Sequence, residues 1–265
     1  MGSKRRALQT RRRLVPPCGT ISRADSPNHR QRGAEKRTGI VWKRRESVRS
    51  HIVGRVCQLL KRCYGRPRLG NPRDPVDDLV YIVLSNKTSP EIAQTTFEHL
   101  RRAFRSWDEM LAAKPLSIRS ILKRAGLSKV KTRQLRGALR KITRDFGSCD
   151  LVSLKELDPS DAHTYLVSLP GVSDKVAKCV MMYTLGAKVL PVDSHVHRVA
   201  TRLGWTARKR PDQCHDELEA LVPPQLRYAF HVGCVLHGRA VCRPEKPACE
   251  ECCIKLYCEY YRRTR

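Results

Sequence analysis

No apolar run in this 265-residue chain approaches the ~18 residues that a membrane-spanning helix needs. The first residues, MGSKRRALQTRRRL, lack the apolar stretch of roughly 7–15 residues that a secretory signal carries. Without export there is no oxidising compartment, so the twelve cysteines are not expected to form a disulfide framework. Paired segments with strict apolar–polar alternation are also missing, which excludes a sheet and leaves an all-α fold. Acidic residues are scarce: 25 Asp and Glu stand against 53 Lys and Arg, for a net charge of +28. Such a surface suits a polyanion, a nucleic acid first of all. The plainer alternative is a ribosomal-type or merely soluble basic surface.

Residues 1–46 are rich in Lys and Arg, with Ser, Gly, Pro and Gln between them. They cannot bury enough surface to offset the entropy of ordering, and are expected to form a disordered basic tail. The tail would add phosphate contacts or address the protein to an organelle or nucleus, unless translation starts further on. Helical spacing begins at Ile52, Val56, Leu59, Leu60 and Cys63. A Gly- and Pro-rich loop follows, and then Val76–Leu84, apolar nearly all round, which reads as a buried helix or else a strand. Ser89-Pro90-Glu91 and Ser106-Trp-Asp-Glu109 are helix start signals, and Gly126 and Gly147 are stops. Asp158-Pro159 opens a further helix. Cys57, Cys179 and Cys234 sit in apolar segments and read as small buried hydrophobes.

Residues 166–180, LVSLPGVSDKVAKCV, place a Pro-Gly turn between two helical patterns. The turn leaves backbone N–H groups unpaired at the start of the second helix, where the dipole is positive, so it suits a phosphate. Gly171 permits a positive φ and a close backbone approach. Many helical hairpins carry Pro-Gly for turn geometry alone, and the segment by itself does not choose. Near the C-terminus Cys242, Cys249, Cys252 and Cys258 form C-x6-C-x2-C-x5-C. Four thiolates so spaced can close around one metal centre, zinc or an iron–sulfur cluster.

LPGVSDKVA, then VDSHVHRVATRLGW, then the four-cysteine loop resemble the endonuclease III family of helix-hairpin-helix DNA glycosylases with a [4Fe-4S] cluster. The resemblance runs from about Val48 to Tyr260. It implies two helical domains around a DNA cleft. One would be a six-helix domain at 72–186 with the hairpin at 161–187. The other would join 47–71 to 187–265, with the cluster loop at 242–258. It implies a bifunctional glycosylase/AP lyase of base excision repair that removes damaged, oxidised pyrimidines. Mismatched thymine or uracil, or 5-methylcytosine, are alternative substrates, since the second motif also resembles the plant demethylating glycosylases; a non-enzymatic DNA-binding iron–sulfur protein is the other alternative. The partner would be double-stranded DNA carrying damaged bases or abasic sites, bound by a monomer in the cytoplasm or nucleoid of a prokaryote, or the nucleus or mitochondrion of a eukaryote.

The resemblance aligns Lys175 with the catalytic lysine and Asp193 with the catalytic aspartate. Asp193 also stands where a helix N-cap belongs, and a cap would fix its carboxylate. His195 matches a histidine near the site. The resemblance assigns the cluster to Cys242, Cys249, Cys252 and Cys258, leaves out Cys253, and carries Arg243 and Lys246 to DNA phosphates. Leu127, in AGLSKVK, would wedge the duplex, or serve as an ordinary helix-end hydrophobe. Two positions depart from the family pattern. Ser173 replaces the second glycine of the hairpin, and its hydroxyl could face phosphate. Lys87 replaces a glutamine that fills the gap left by the extruded base, which makes the usual lesion preference less transferable.

Overall fold

A computed structural model describes residues 51–123, 126 and 128–264, which belong to one unit spanning Arg45–Arg265. The expected tail at 1–46 and Leu127 lie outside the described residues. Among the described residues the regular elements are all helical, and no strand occurs. The order is α1 (51–64), α2 (Pro75–Ser85), α3 (Pro90–Ala103), α4 (Trp107–Ala112), α5 (Pro115–Leu122), α6 (Ser128–Phe146), α7 (Pro159–Val167), α8 (Asp174–Thr184), α9 (Ser194–Arg202), α10 (His215–Leu221), α11 (Arg227–Ala240) and α12 (Glu259–Arg263).

The start signals act through hydrogen bonds. Ser89 accepts from Ile92 N–H, and Ser106 from Glu109 N–H, while the Glu109 carboxylate accepts from Arg105 N–H at 2.7 Å. Asp158 precedes α7 but makes no side-chain cap bond. The apolar segment after the first loop is the helix α2, started by Asp74, whose carboxylate accepts from Val76 and Asp77 N–H. Pro75 sits at its first turn, where a missing N–H costs nothing.

Two hydrophobic cores result. The first gathers α2 through α8, with Leu79, Leu84, Leu100, Met110, Leu135, Leu139 and Leu166 buried at its centre and Val232 of α11 added. The second joins Val53, Val56, Cys57 and Leu60 of α1 to Leu190, Val196, Val199, Leu218, Phe230 and Cys234. Trp205 stacks on Phe230 inside it, ring centroids 5.3 Å apart. The Gly and Pro residues between Gly65 and Pro72 carry the chain from one core to the other, and Arg68 pins that loop by donating to the carbonyls of Asn71, Pro72 and Tyr183.

Candidate active site and cysteine loop

The hairpin turn is built as its sequence requires. Gly171 has φ +79°, and a Cβ there would meet Cγ of Gln134 at 2.4 Å. The close approach that the glycine allows is therefore to the side of α6. Ser173 caps α8, its hydroxyl accepting from Val176 N–H at 3.4 Å, so that hydroxyl is engaged with the helix it starts. Lys175 follows in the first turn of α8.

Asp193 caps α9. Its Oδ1 accepts from the N–H groups of His195 at 2.9 Å and Val196 at 2.8 Å. Burial pushes its carboxyl upward, but His231, Lys175 and the Val196 N–H outweigh that and hold it below the usual carboxylate range. At neutral pH it is ionised.

Lys175 and Asp193 line one cavity of about 810 Å³. Lys87, Ser173 and His195 line it too, as does Cys179, which the sequence marks only as a buried hydrophobe, and so do Asn71, Tyr81, Tyr183, His231 and Arg239, which the sequence did not single out. Gly171, Arg243 and Lys246 are not part of its wall. Lys87 is exposed at the rim with φ +56°. Behind it the buried Lys131 donates to Leu84 carbonyl and to Thr88 Oγ1, both at 2.7 Å, and burial pushes its ammonium down to about 8. The His195 ring packs on Gly238 of α11, and its Nδ1 lies 3.0 Å from the Arg198 guanidinium. His231 is buried, with Nδ1 2.9 Å from the Pro191 carbonyl; burial draws its imidazole below the ordinary value against the pull of Asp193.

Polar contacts and ion pairs tie the lysine helix to α7 and to the second core. Asp174 lies 2.6 Å from His163 Nε2 and 3.1 Å from His215 Nδ1. Lys178 reaches Glu219 at 2.9 Å, and Glu219 also pairs with Arg227 at 3.1 Å. Asp78, buried within α2, has one carboxyl oxygen accepting from Asn71 Nδ2 at 2.6 Å and the other without a hydrogen-bond partner. Burial pushes this carboxyl up to about 8.

Cys242, Cys249, Cys252 and Cys258 line a second, smaller pocket with Arg202 and Lys255, and none is in a disulfide. They are near enough that Cys242, Cys258 and Cys249 all help to raise the Cys252 thiol, which burial first pushes up, to about 11. Among the described residues no three His, Cys, Asp or Glu side chains converge as they would on a single ion. The far half of α9 holds this loop. Arg198 donates to Cys242 carbonyl at 2.8 Å, and Arg202 donates to Cys242 Sγ at 3.1 Å and to the carbonyls of Arg243 and Pro244. Arg243 and Lys246 are exposed on the same loop.

The model of the HhH-GPD superfamily of base excision DNA repair proteins matches residues 80–224. Endonuclease III of Thermotoga maritima is 32% identical over 197 residues, 74% of this chain and 88% of that protein. DEMETER-like protein 2 of Arabidopsis thaliana is 28% identical over 177 residues, 60% of this chain and 13% of that protein. A solved non-covalent endonuclease III–DNA complex shares the fold, with a TM-score of 0.71 at 20% identity over 81% of this chain and 97% of that one. The chain belongs to the HhH-GPD superfamily of base excision DNA repair proteins, as a DNA glycosylase/AP lyase of the endonuclease III kind.

Proposed function

We propose that the chain removes damaged, oxidised pyrimidines from double-stranded DNA through a covalent intermediate on Lys175, and nicks abasic sites by β-elimination. The observation that carries this is the shared cavity: Lys175 from one core and the ionised Asp193 from the other face the same space. Glycosidic cleavage builds positive charge on the sugar, and a carboxylate in a dry wall stabilises it. The Lys175 amine bonds to C1′ as the C1′–N bond breaks and the base departs with a proton. Loss of a proton from the amine and opening of the ring give an iminium. A C2′ proton is then removed, the C3′–O bond breaks, and the 3′ strand leaves as a phosphate. A damaged base costs less to extrude into the cavity than a paired one, by up to roughly a few kcal/mol. Lys87 would meet the gap in the duplex, and Arg243 and Lys246 the backbone phosphates, a reading that their exposure supports.

The four free thiols would hold a [4Fe-4S] cluster, as the endonuclease III family generally does. Four Cys donors with a single short C-x2-C pair suit an iron–sulfur cluster better than zinc, whose sites usually carry two such pairs. When bound, the cluster supplies a fixed scaffold for the 243–246 loop.

Borohydride trapping on a panel of duplexes tests the reading. Thymine glycol or a similar oxidised pyrimidine should give a covalent adduct that Lys175→Ala abolishes. Trapping that persists in Lys175→Ala removes this lysine from the nucleophile role. Preferential release of mismatched thymine, uracil or 5-methylcytosine would reassign the base, and binding without release or nicking would reject catalysis.

A further inference from the structure

Tyr64 and His237 take no part in the chemistry above, yet they stand against the cysteine loop. His237, in the last turn of α11, is fully buried. Its Nδ1 lies 2.9 Å from the Tyr64 hydroxyl, and its Nε2 lies 3.4 Å from Cys252 Sγ. The two rings meet edge to face, centroids 5.8 Å apart. Tyr64 closes α1, so the contact joins residues 173 positions apart in the chain.

The direction of this relay follows from its ends. The Tyr64 phenol carries a proton at neutral pH, as any tyrosine does with an ordinary value of ~10. A phenol O–H given to Nδ1 makes that nitrogen the acceptor and leaves the ring proton on Nε2. That N–H then points at the Cys252 sulfur. Cys242 receives a donor of a different kind, the Arg202 guanidinium at 3.1 Å, whose proton is permanent. Among the described residues, only at Cys252 is the donor a tautomer that a second residue selects.

We propose that Tyr64, acting through His237, is a positioning residue that keeps an N–H on the Cys252 sulfur and thereby raises the reduction potential of the bound cluster. This rests on the [4Fe-4S] reading. An N–H···S bond draws charge from the ligand and favours the cluster state with one more electron. Without the phenol, the imidazole proton is free to move to Nδ1. The Nε2 lone pair then faces sulfur, and the oxidised state gains.

The test uses purified holoprotein with iron content and midpoint potential measured together, the electrode supplying the electron. Tyr64→Phe should keep wild-type iron and shift the equilibrium roughly tenfold toward the oxidised cluster, ~59 mV downward for one electron. In a His237→Gln background the donor is an amide with no second tautomer, so adding Tyr64→Phe should give no further shift. An unchanged potential in Tyr64→Phe at full iron content overturns the relay, and so does an equal shift in the glutamine background. Wild-type protein that purifies with stoichiometric zinc, or lacks absorbance near ~400 nm, overturns the cluster reading itself and the relay with it.

Discussion

The core around Lys175 closes with interlocking aliphatic and aromatic side chains from α2 through α8. The core around Asp193 packs fewer large apolar residues, and one of its walls is the cysteine loop, clasped by Arg198 and Arg202. The lysine side thus rests chiefly on burial, at ~25 cal/mol for each Å² of apolar surface removed from water, with the Asp174 and Lys178 contacts added to it. The aspartate side leans on polar contacts to a loop with little apolar content. The reacting pair straddles this difference, so its geometry depends on the less self-sufficient half.

Substitution at Asp193 separates chemistry from structure most sharply. Asn also caps helices, so Asp193→Asn should keep stability within about 1 kcal/mol while base release falls by ~10²–10³-fold. Asp193→Ala should lose a further ~0.5–2 kcal/mol of stability, read as a lower denaturation midpoint. Stripping the proposed cluster with a chelator addresses the contrast between the halves. Amide exchange should then rise first in α9 and the second core while α2 and α8 stay protected; a uniform rise would erase the contrast. On the lysine side, Gly171→Ala forces a Cβ into Gln134 at a positive φ and should cost ~1–3 kcal/mol.

A last effect depends on pH and concerns Asp78. Its carboxyl titrates at about 8 in the folded protein, above the ~3.9 of an unfolded chain, so the folded state favours the protonated form. Its contribution to stability is therefore greatest below pH ~4 and is lost as pH rises to about 8. Asp78→Asn should stabilise by roughly 1–3 kcal/mol near pH 8, and the gain should shrink toward pH 4 in thermal melts. A pH-independent gain would contradict the assignment of this carboxyl.

The all-α fold, the hairpin and the spacing of the cysteines are legible in the sequence because each is written locally: a Pro-Gly turn between two helical patterns, a cap residue ahead of its helix, four thiols within one short stretch. The rest of the cavity wall is not legible. Tyr81, Tyr183 and His231 lie on the apolar stripes of helices far apart in the chain, where an aromatic or a histidine looks like any core residue. Asn71 comes from a loop whose composition announces only a turn. His237 is hidden for the same reason, since both its partners are distant in sequence. The Ser173 hydroxyl accepts from the helix it begins, a cap that the S-D-K-V run announces locally.

Helix α9 has Asp193 at its start and Arg202 at its end. Each residue turns a helix by about 100°, so deleting one position between them would swing the guanidinium groups off the carbonyls they hold. The length of this segment acts as a ruler. Loops elsewhere in the protein can gain or lose residues over evolution or in engineering, but an insertion or deletion inside 194–202 would uncouple the carboxylate from the cysteine loop.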